Sequence, residues 1–215
     1  MEMIVQKRHI APGVYLVIDP SMEEEIITEK LNSILHEKIV AVQIWDNFRE
    51  GEHMTALIEK ICSLCHANDI PVLINNQWEY LSSTSLDGVH FDQIPPDFDN
   101  IRNMINRPFI CGLTCNNDLL LVQWAATNTL DYISFCSMFP SSTANSCELV
   151  NHGTVQAAQT IFKNPIFLAG GIKPGNIIKL KELDYAGIAV ISGIMSSDNP
   201  AESVREYYKH LKIKS

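Results

Sequence analysis

The chain has no long hydrophobic run. None of its segments approaches the ~20 consecutive apolar residues that a membrane-spanning helix needs, although 46 % of its 215 residues are hydrophobic. The N-terminal stretch Met1-Glu2-Met3-Ile4-Val5-Gln6-Lys7-Arg8 has no apolar core of the kind a secretory signal carries. The expected location is therefore the cytoplasm. Positive charge is also scarce. Sixteen Lys and Arg stand against 25 Asp and Glu, a formal net charge of −9. Nucleic acid and anionic lipid surfaces are disfavoured as partners on that balance. Any anionic ligand must be held by backbone amides, a metal or a few local cations, because the global field repels it.

A disulfide framework is missing too. Six cysteines are scattered through apolar segments of a chain far longer than the small secreted domains that depend on such frameworks. They read as reduced thiols. Cys62-Ser63-Leu64-Cys65-His66 imitates a haem-attachment string. Its neighbours are apolar and helical, and no second ligand pair with zinc spacing accompanies it, so buried helix thiols are the better reading. Nor does a glycine-rich turn follow the first strand, where Asp19-Pro20-Ser21-Met22 stands instead. That argues against an open doubly wound nucleotide-binding sheet. No linker, low-complexity tract or short-period repeat divides the chain, and one domain over residues 1–215 is expected.

What is present is alternation. Short β-type runs are expected at Val14–Ile18, Ile39–Ile44, Pro71–Ile74, Gly88–Phe91, Phe109–Leu113, Tyr132–Phe135, Ile166–Ala169 and Ala186–Ile191. Helical stretches fall between them. Ser21 is expected to cap the first, ahead of Glu23, Glu24 and Glu25. Others are expected over Glu52–Ala67, Trp78–Ser82, Phe98–Ile105, Asp118–Ala126, Thr154–Phe162, Asn176–Leu183 and Ala201–Leu211. Eight strand-then-helix units imply parallel pairing with right-handed crossovers. The fold class is α/β, a (β/α)8 barrel, at the short end for that architecture.

In such a barrel the chemistry lies at the C-terminal ends of the strands. Two of those ends stop in small residues, Ala169-Gly170-Gly171 and Ile191-Ser192-Gly193. Glycines let backbone N–H groups approach an anion, and a following helix adds a favourable dipole. The pair therefore reads as a phosphate grip. The remaining ends carry Asp19, Gln43, Trp45, Asn47, Asn75, Asn76, Gln77, His90, Asp92, Gln93, Thr114, Asn116 and Ser137. Amides and hydroxyls can orient a polar heterocycle by donating and accepting at once. His90 reads equally well as a catalytic group and as a hydrogen-bonded structural one.

Several segments stand in a specific order and spacing. They are Val14-Tyr15-Leu16-Val17-Ile18-Asp19, Val42-Gln43-Ile44, Leu73-Ile74-Asn75-Asn76, Asp87-Gly88-Val89-His90, Asp131-Tyr132-Ile133-Ser134 and Met138-Phe139-Pro140-Ser141-Ser142-Thr143, with the two phosphate-type ends. From Gly13 to the C-terminus the chain thereby resembles the thiamine-phosphate synthase family and its relative, the thiazole tautomerase. The resemblance implies coupling of a hydroxymethylpyrimidine pyrophosphate to a thiazole phosphate, with Mg2+ as cofactor and phosphorylated heterocycles as partners. It implies phosphate contacts at Gly170, Gly171, Ile191, Ser192 and Gly193. Gln43 and Asn75 would meet the pyrimidine and its pyrophosphate, with Thr114 near the latter.

The departures are concentrated. The family's Gln-x-Arg-x-Lys is Gln43, Trp45 and Asn47 here, and its Asn-Asp-Arg is Asn75, Asn76 and Gln77. Its second metal Asp falls at Pro95, beside Asp92, and its loop lysine at Ala144. Asp92 is the candidate metal ligand that remains. The tautomerase histidine falls at Ser137, so acid–base work would pass to His152, Cys147 or Glu148. A catalytically silent phosphate binder is the reading from a different class. Oligomeric state is left open, a homo-oligomer included.

Overall fold

Eight parallel strands close on themselves in chain order, so β1 pairs with both β2 and β8. The computed structural model describes residues 7–48, 54–141 and 148–212. The strands are β1 (Gly13–Ile18), β2 (Ile39–Ile44), β3 (Val72–Asn75), β4 (Gly88–Phe91), β5 (Ile110–Thr114), β6 (Tyr132–Cys136), β7 (Ile166–Ala169) and β8 (Gly187–Val190). Nearly every strand position is buried, as expected of a parallel sheet covered on both faces. Around the barrel run α1 (Glu24–Ile34), α2 (Thr55–His66), α3 (Phe98–Ile105), α4 (Leu119–Thr127), α5 (His152–Ile161), α6 (Ser192–Met195) and α7 (Pro200–His210). Short 3-10 segments at Trp78–Ser82 and Ile177–Leu180 stand in for helices after β3 and β7. Among the described residues no helix is long and apolar enough to cross a membrane.

The eight expected strands are all found, three with unchanged ends and five with ends moved by one residue. The helix starts needed more correction. Ser21 does not cap α1. Its own amide donates to Asp19 Oδ1 (2.9 Å), a turn that delays the helix until Glu24. Asp118, Asn151 and Asn199 do cap α4, α5 and α7, each accepting from an amide just inside the helix. The helix expected over Asn176–Leu183 shrinks to one 3-10 turn, with Asn176 Oδ1 taking the Lys173 amide (2.8 Å). One-turn α6 was not expected. The expected start of the second helix at Glu52 lies outside the described residues, as do Ser142, Thr143, Ala144 and Cys147.

Two hydrophobic cores follow from the closure. The larger lies between strands and helices. The smaller fills the barrel interior with Tyr15, Ala41, Leu73, Ile110, Tyr132 and Phe167. Cys62, Cys65, Cys111 and Cys115 are buried free thiols. Cys62 and Cys65 are fully buried on the inner face of α2, and burial pushes the Cys65 thiol up to about 12. The adjacent His66 is spent on Asp87 (Nε2···Oδ2 2.7 Å), which also accepts the Val72 amide (2.7 Å) and pairs with Arg8 (3.2 Å). Asp131 plays the same part on β5, accepting the Cys111 amide (2.7 Å) and pairing with Lys7 (2.6 Å). The N-terminal end of the barrel is thus pinned by two carboxylates.

Large aromatics inside a narrow barrel require a missing side chain opposite. A Cβ placed on Gly112 would lie 2.2 Å from Tyr132 Cζ, whereas one on Gly175 would meet nothing within 4 Å. Gly112→Ala is expected to cost about 1–3 kcal/mol through overpacking, and Gly175→Ala to stay within about 0.5 kcal/mol of the parent. Urea unfolding midpoints of the two variants would check this, and equal midpoints would contradict it.

Candidate active site

Side chains on a strand alternate, so residues two apart share a face. Two positions beyond the inner apolar layer, on the same inward face, stand Gln43 above Ala41, Asn75 above Leu73, and Ser134 above Tyr132. His90 and Thr114 follow Gly88 and Gly112 in the same way. All five are buried, between 3 % and 9 % exposed, and must find partners among themselves.

They do so completely, since no buried side-chain nitrogen or oxygen lacks a partner among the described residues. At the mouth, Asn75 Nδ2 donates to Asp92 Oδ2 (2.9 Å). Gln43 Nε2 donates to Asn75 Oδ1 (2.5 Å), and the Tyr15 hydroxyl donates to Gln43 Oε1 (2.9 Å). The Tyr15 and Tyr132 hydroxyls lie 2.9 Å apart, and His90 Nδ1 lies 2.9 Å from the Tyr132 hydroxyl. His90 Nε2 meets Thr114 Oγ1 (2.8 Å), which meets Ser134 Oγ (3.1 Å). Below this chain the rings of Tyr15, Tyr132 and Phe167 pack edge-on with centroids 5.5 to 5.9 Å apart.

Full burial lowers the His90 pKa to about 4, against which the Asp92 charge acts upward. Burial likewise pushes the Tyr15 and Tyr132 hydroxyls above their usual value, so both stay protonated donors. The imidazole is neutral at pH 7 and both of its nitrogens are engaged. A solvent-accessible acid–base role for His90 is not what this geometry offers.

Above the buried ring sits a polar rim. Asn76, in the left-handed region at φ 53, donates from Nδ2 to Asp46 (2.7 Å) and to Asp92 (3.0 Å) and accepts the Asp92 amide (3.0 Å). Asn47 donates to Asp19 (3.0 Å). An open groove of ≈ 530 Å³ runs from Asn76 and Asp92 past Trp78, Phe91 and Ile101. A magnesium ion does not suit the donors as they stand. Asp46 and Asp92 turn oxygens onto an N–H donor rather than onto a common centre, and the described residues hold no group of three or more His, Cys, Asp or Glu able to bind a metal.

The opposite wall is built from backbone. β7 and β8 are paired neighbours, Ala169 beside Ala189, so the two glycine-bearing ends lie together. Gly170 and Gly171 have φ of 83 and 65, where a side chain is strained. A Cβ on Gly170 would strike Ser137 Oγ (2.3 Å), and one on Gly171 the carbonyls of Phe139 and Pro140 (2.5 and 2.6 Å). Packing against the loop after β6 thus requires both glycines in its own right. The amides of Gly170, Gly171 and Ile172 donate to no protein group among the described residues. Ser192 and Gly193 open α6, whose first amides have no intrahelical acceptor. The Tyr207 hydroxyl donates to the Ile172 carbonyl (3.0 Å), and a Cβ on Gly193 would lie 2.0 Å from it. One tyrosine of α7 therefore ties both phosphate-type loops together. The helices that follow are a 3-10 turn and a single α-turn, so the dipole they present at this corner is small.

A sequence profile described as thiamine monophosphate synthase matches residues 14–194, from the first strand through the α6 turn. The chain belongs to that family. Among its relatives, a thiamine-phosphate synthase of Prochlorococcus marinus is 27 % identical over 202 residues, covering 93 % of this chain and 56 % of the relative. One from Methanobrevibacter smithii is 24 % identical over 203 residues, covering 94 % of this chain and 97 % of its own length. The chain thus spans little more than half of the first relative and almost all of the second. The solved structure of thiamine phosphate pyrophosphorylase from Pyrococcus furiosus superposes with a TM-score of 0.78 at 19 % identity, covering 92 % of this chain and 94 % of that one. That likeness establishes the barrel. Thiamine-phosphate synthases generally depend on magnesium.

Of the residues singled out from the sequence, Gln43, Asn75 and Thr114 belong to one hydrogen-bonded chain, with Asn76 and Asp92 at its mouth. Ile191, Ser192 and Gly193 stand beside Gly170 and Gly171 on the opposite wall. His152 is the first residue of α5 and takes no part in the chain. Tyr15, Tyr132 and Ser134 were missed as site residues. In strands buried on both faces tyrosine reads as an ordinary strand former, and only the two-residue spacing to Ser134 hinted at the inward face.

Burial of a neutral histidine has a measurable consequence. Between its usual 6.5 and about 4, His90 is protonated in the unfolded chain and not in the fold. The unfolded state binds more protons there, so stability falls as pH drops through that window. At pH 5 the loss approaches about 2 kcal/mol. His90→Gln should flatten this part of the stability–pH curve. Parallel curves for parent and variant between pH 7.5 and 5 would show that His90 is not the group responsible.

Proposed function

We propose that the chain joins a hydroxymethylpyrimidine pyrophosphate to a thiazole phosphate, giving thiamine phosphate and pyrophosphate. Beside the family membership, one observation carries this reading: among the described residues, three successive amides, those of Gly170, Gly171 and Ile172, have no protein acceptor next to the opening turn of α6. Free N–H groups at a strand end suit a phosphoryl group and need no positive field. Such groups support an anionic ligand despite the net charge of −9. The thiazole phosphate is assigned to this corner. Gln43 and Asn75, each donating and accepting at the mouth of the barrel, orient the pyrimidine.

In the coupling, the bond between the pyrimidine methylene carbon and the pyrophosphate oxygen breaks, and the leaving group takes both electrons. The thiazole nitrogen lone pair then forms the new C–N bond. The chain's contribution is to hold the two partners in line, an effect worth up to about 7–11 kcal/mol in favourable cases. Compensation for the departing negative charge is weak. The described rim beside Asn76 offers Asp46 and Asp92 where a cation is wanted. Turnover slow for the family is the expected result.

The same carboxylate pair favours a second reading, a silent binder of thiazole or thiamine phosphate. Tautomerase chemistry draws no comparable support, because Ser137 is buried and non-titrating and His152 stands apart from the interior chain. Purified protein incubated with both precursors and magnesium should form thiamine phosphate, slowly. Gly193→Ala, which displaces Tyr207, should weaken thiazole phosphate binding about tenfold, or 1.4 kcal/mol. Binding without product would leave the silent binder, and binding of neither precursor would remove both readings.

A further inference from the structure

We propose that Asp92 is a positioning residue whose carboxylate fixes the direction of the whole interior hydrogen-bond chain and so holds His90 as the Nδ1–H tautomer. One group in this hydrogen-bond chain can only accept, whatever the pocket binds.

An ionised carboxylate has lone pairs and no proton to give. Asp92 Oδ2, 2.9 Å from Asn75, therefore takes Asn75 Nδ2 as its donor and turns the Asn75 carbonyl oxygen inward. That oxygen needs a donor, which forces Gln43 to present Nε2 to it and Oε1 to Tyr15. Tyr15 spends its single proton on Gln43, so its oxygen accepts from Tyr132. Tyr132 in turn has spent its proton and must accept from His90, which places the imidazole proton on Nδ1. A neutral ring then offers a lone pair at Nε2, and Thr114 Oγ1 donates to it (2.8 Å) while accepting from Ser134 (3.1 Å). Seven successive bonds, through six strands, all point toward one carboxylate at the mouth.

Reversing any interior link alone would set two donors or two acceptors face to face in a dry site. An unpaired buried polar group costs about 1–3 kcal/mol, so the stated direction should be preferred by roughly tenfold or more. Asp46 is the natural comparison. Its carboxylate accepts from Asn76, which bonds Asp92 but donates nothing to the interior chain. The resulting distinction is sharp: two acidic side chains touch the same asparagine, and only one of them orients the barrel interior.

The test is nitrogen NMR on the full-length chain with 15N-labelled histidine, the His90 signals being assigned by their loss in His90→Gln. At neutral pH the parent should show His90 with a protonated Nδ1 and an unprotonated Nε2. Asp92→Ala should move the tautomer ratio from at least about 10:1 toward parity, and Asp46→Ala should leave it unchanged. Tyr15→Phe breaks the chain at its midpoint and frees the Tyr132 proton to turn toward His90. It should raise the Nε2–H form even if Asp92→Ala folds poorly. An Nε2–H or doubly protonated His90 in the parent would overturn the proposal. So would an unchanged tautomer in folded Asp92→Ala, or an equal change in Asp46→Ala.

Discussion

Polar groups inside a closed barrel have only each other. The interior between β1 and β6 is filled by aromatic rings, and the second layer above them is made of an amide pair, an imidazole and two hydroxyls. Each of these groups would cost ~1–3 kcal/mol if left unpaired. The result is a single connected chain rather than isolated pairs, and connection has consequences that pairing lacks. A choice made at one end, which atom of Asn75 faces Asp92, is carried through to the protonation pattern of His90 at the other. Gly112 belongs to the same constraint, because Tyr132 can reach both Tyr15 and His90 only where its ring meets no opposing side chain.

Much of the fold was legible because strands buried on both faces read as nearly unbroken apolar runs, and eight of them alternate with helical stretches. The same property concealed the inner layer. Where both faces are buried there is no polar alternation to say which side chains look inward, so Tyr15 and Tyr132 passed for strand formers. Gln43, Asn75 and Thr114 were found because polar residues at strand ends stand out against apolar neighbours. Helix starts depended on side-chain geometry that the sequence does not disclose. Ser21 has the right chemistry for a cap, but its amide is taken by Asp19 and the helix begins three residues later.

The glycine corner shows how one pair of residues can answer two separate demands. Gly170 and Gly171 stood out as phosphate binders. The loop after β6 presses on both closely enough that no side chain fits, so packing alone would demand them. What separates a phosphate grip from a mere tight turn is the fate of the N–H groups, and no sequence pattern reports that. Three of them have no acceptor among the described residues. Tyr207 adds a second element invisible in the primary structure, since it joins the loops after β7 and β8 from a helix at the far end of the chain.

Charge at the rim sets the chemical question. Two carboxylates, Asp46 and Asp92, stand at Asn76, where the resemblance places a cation-bound pyrophosphate. A unit negative charge 4 Å from one of them is disfavoured by ~1 kcal/mol in bulk water and by ~4 kcal/mol at the effective dielectric of a protein surface. Such a penalty grows as charge accumulates on the departing group, so it falls more heavily on the bond-breaking step than on binding of the intact precursor. The amide corner across the mouth is insulated from this effect, because its attraction is made of fixed dipoles at short range. Under the proposed function the two properties separate residue by residue: Gly193 and Tyr207 act on affinity for a phosphorylated heterocycle, Asp46 and Asp92 on the rate of coupling.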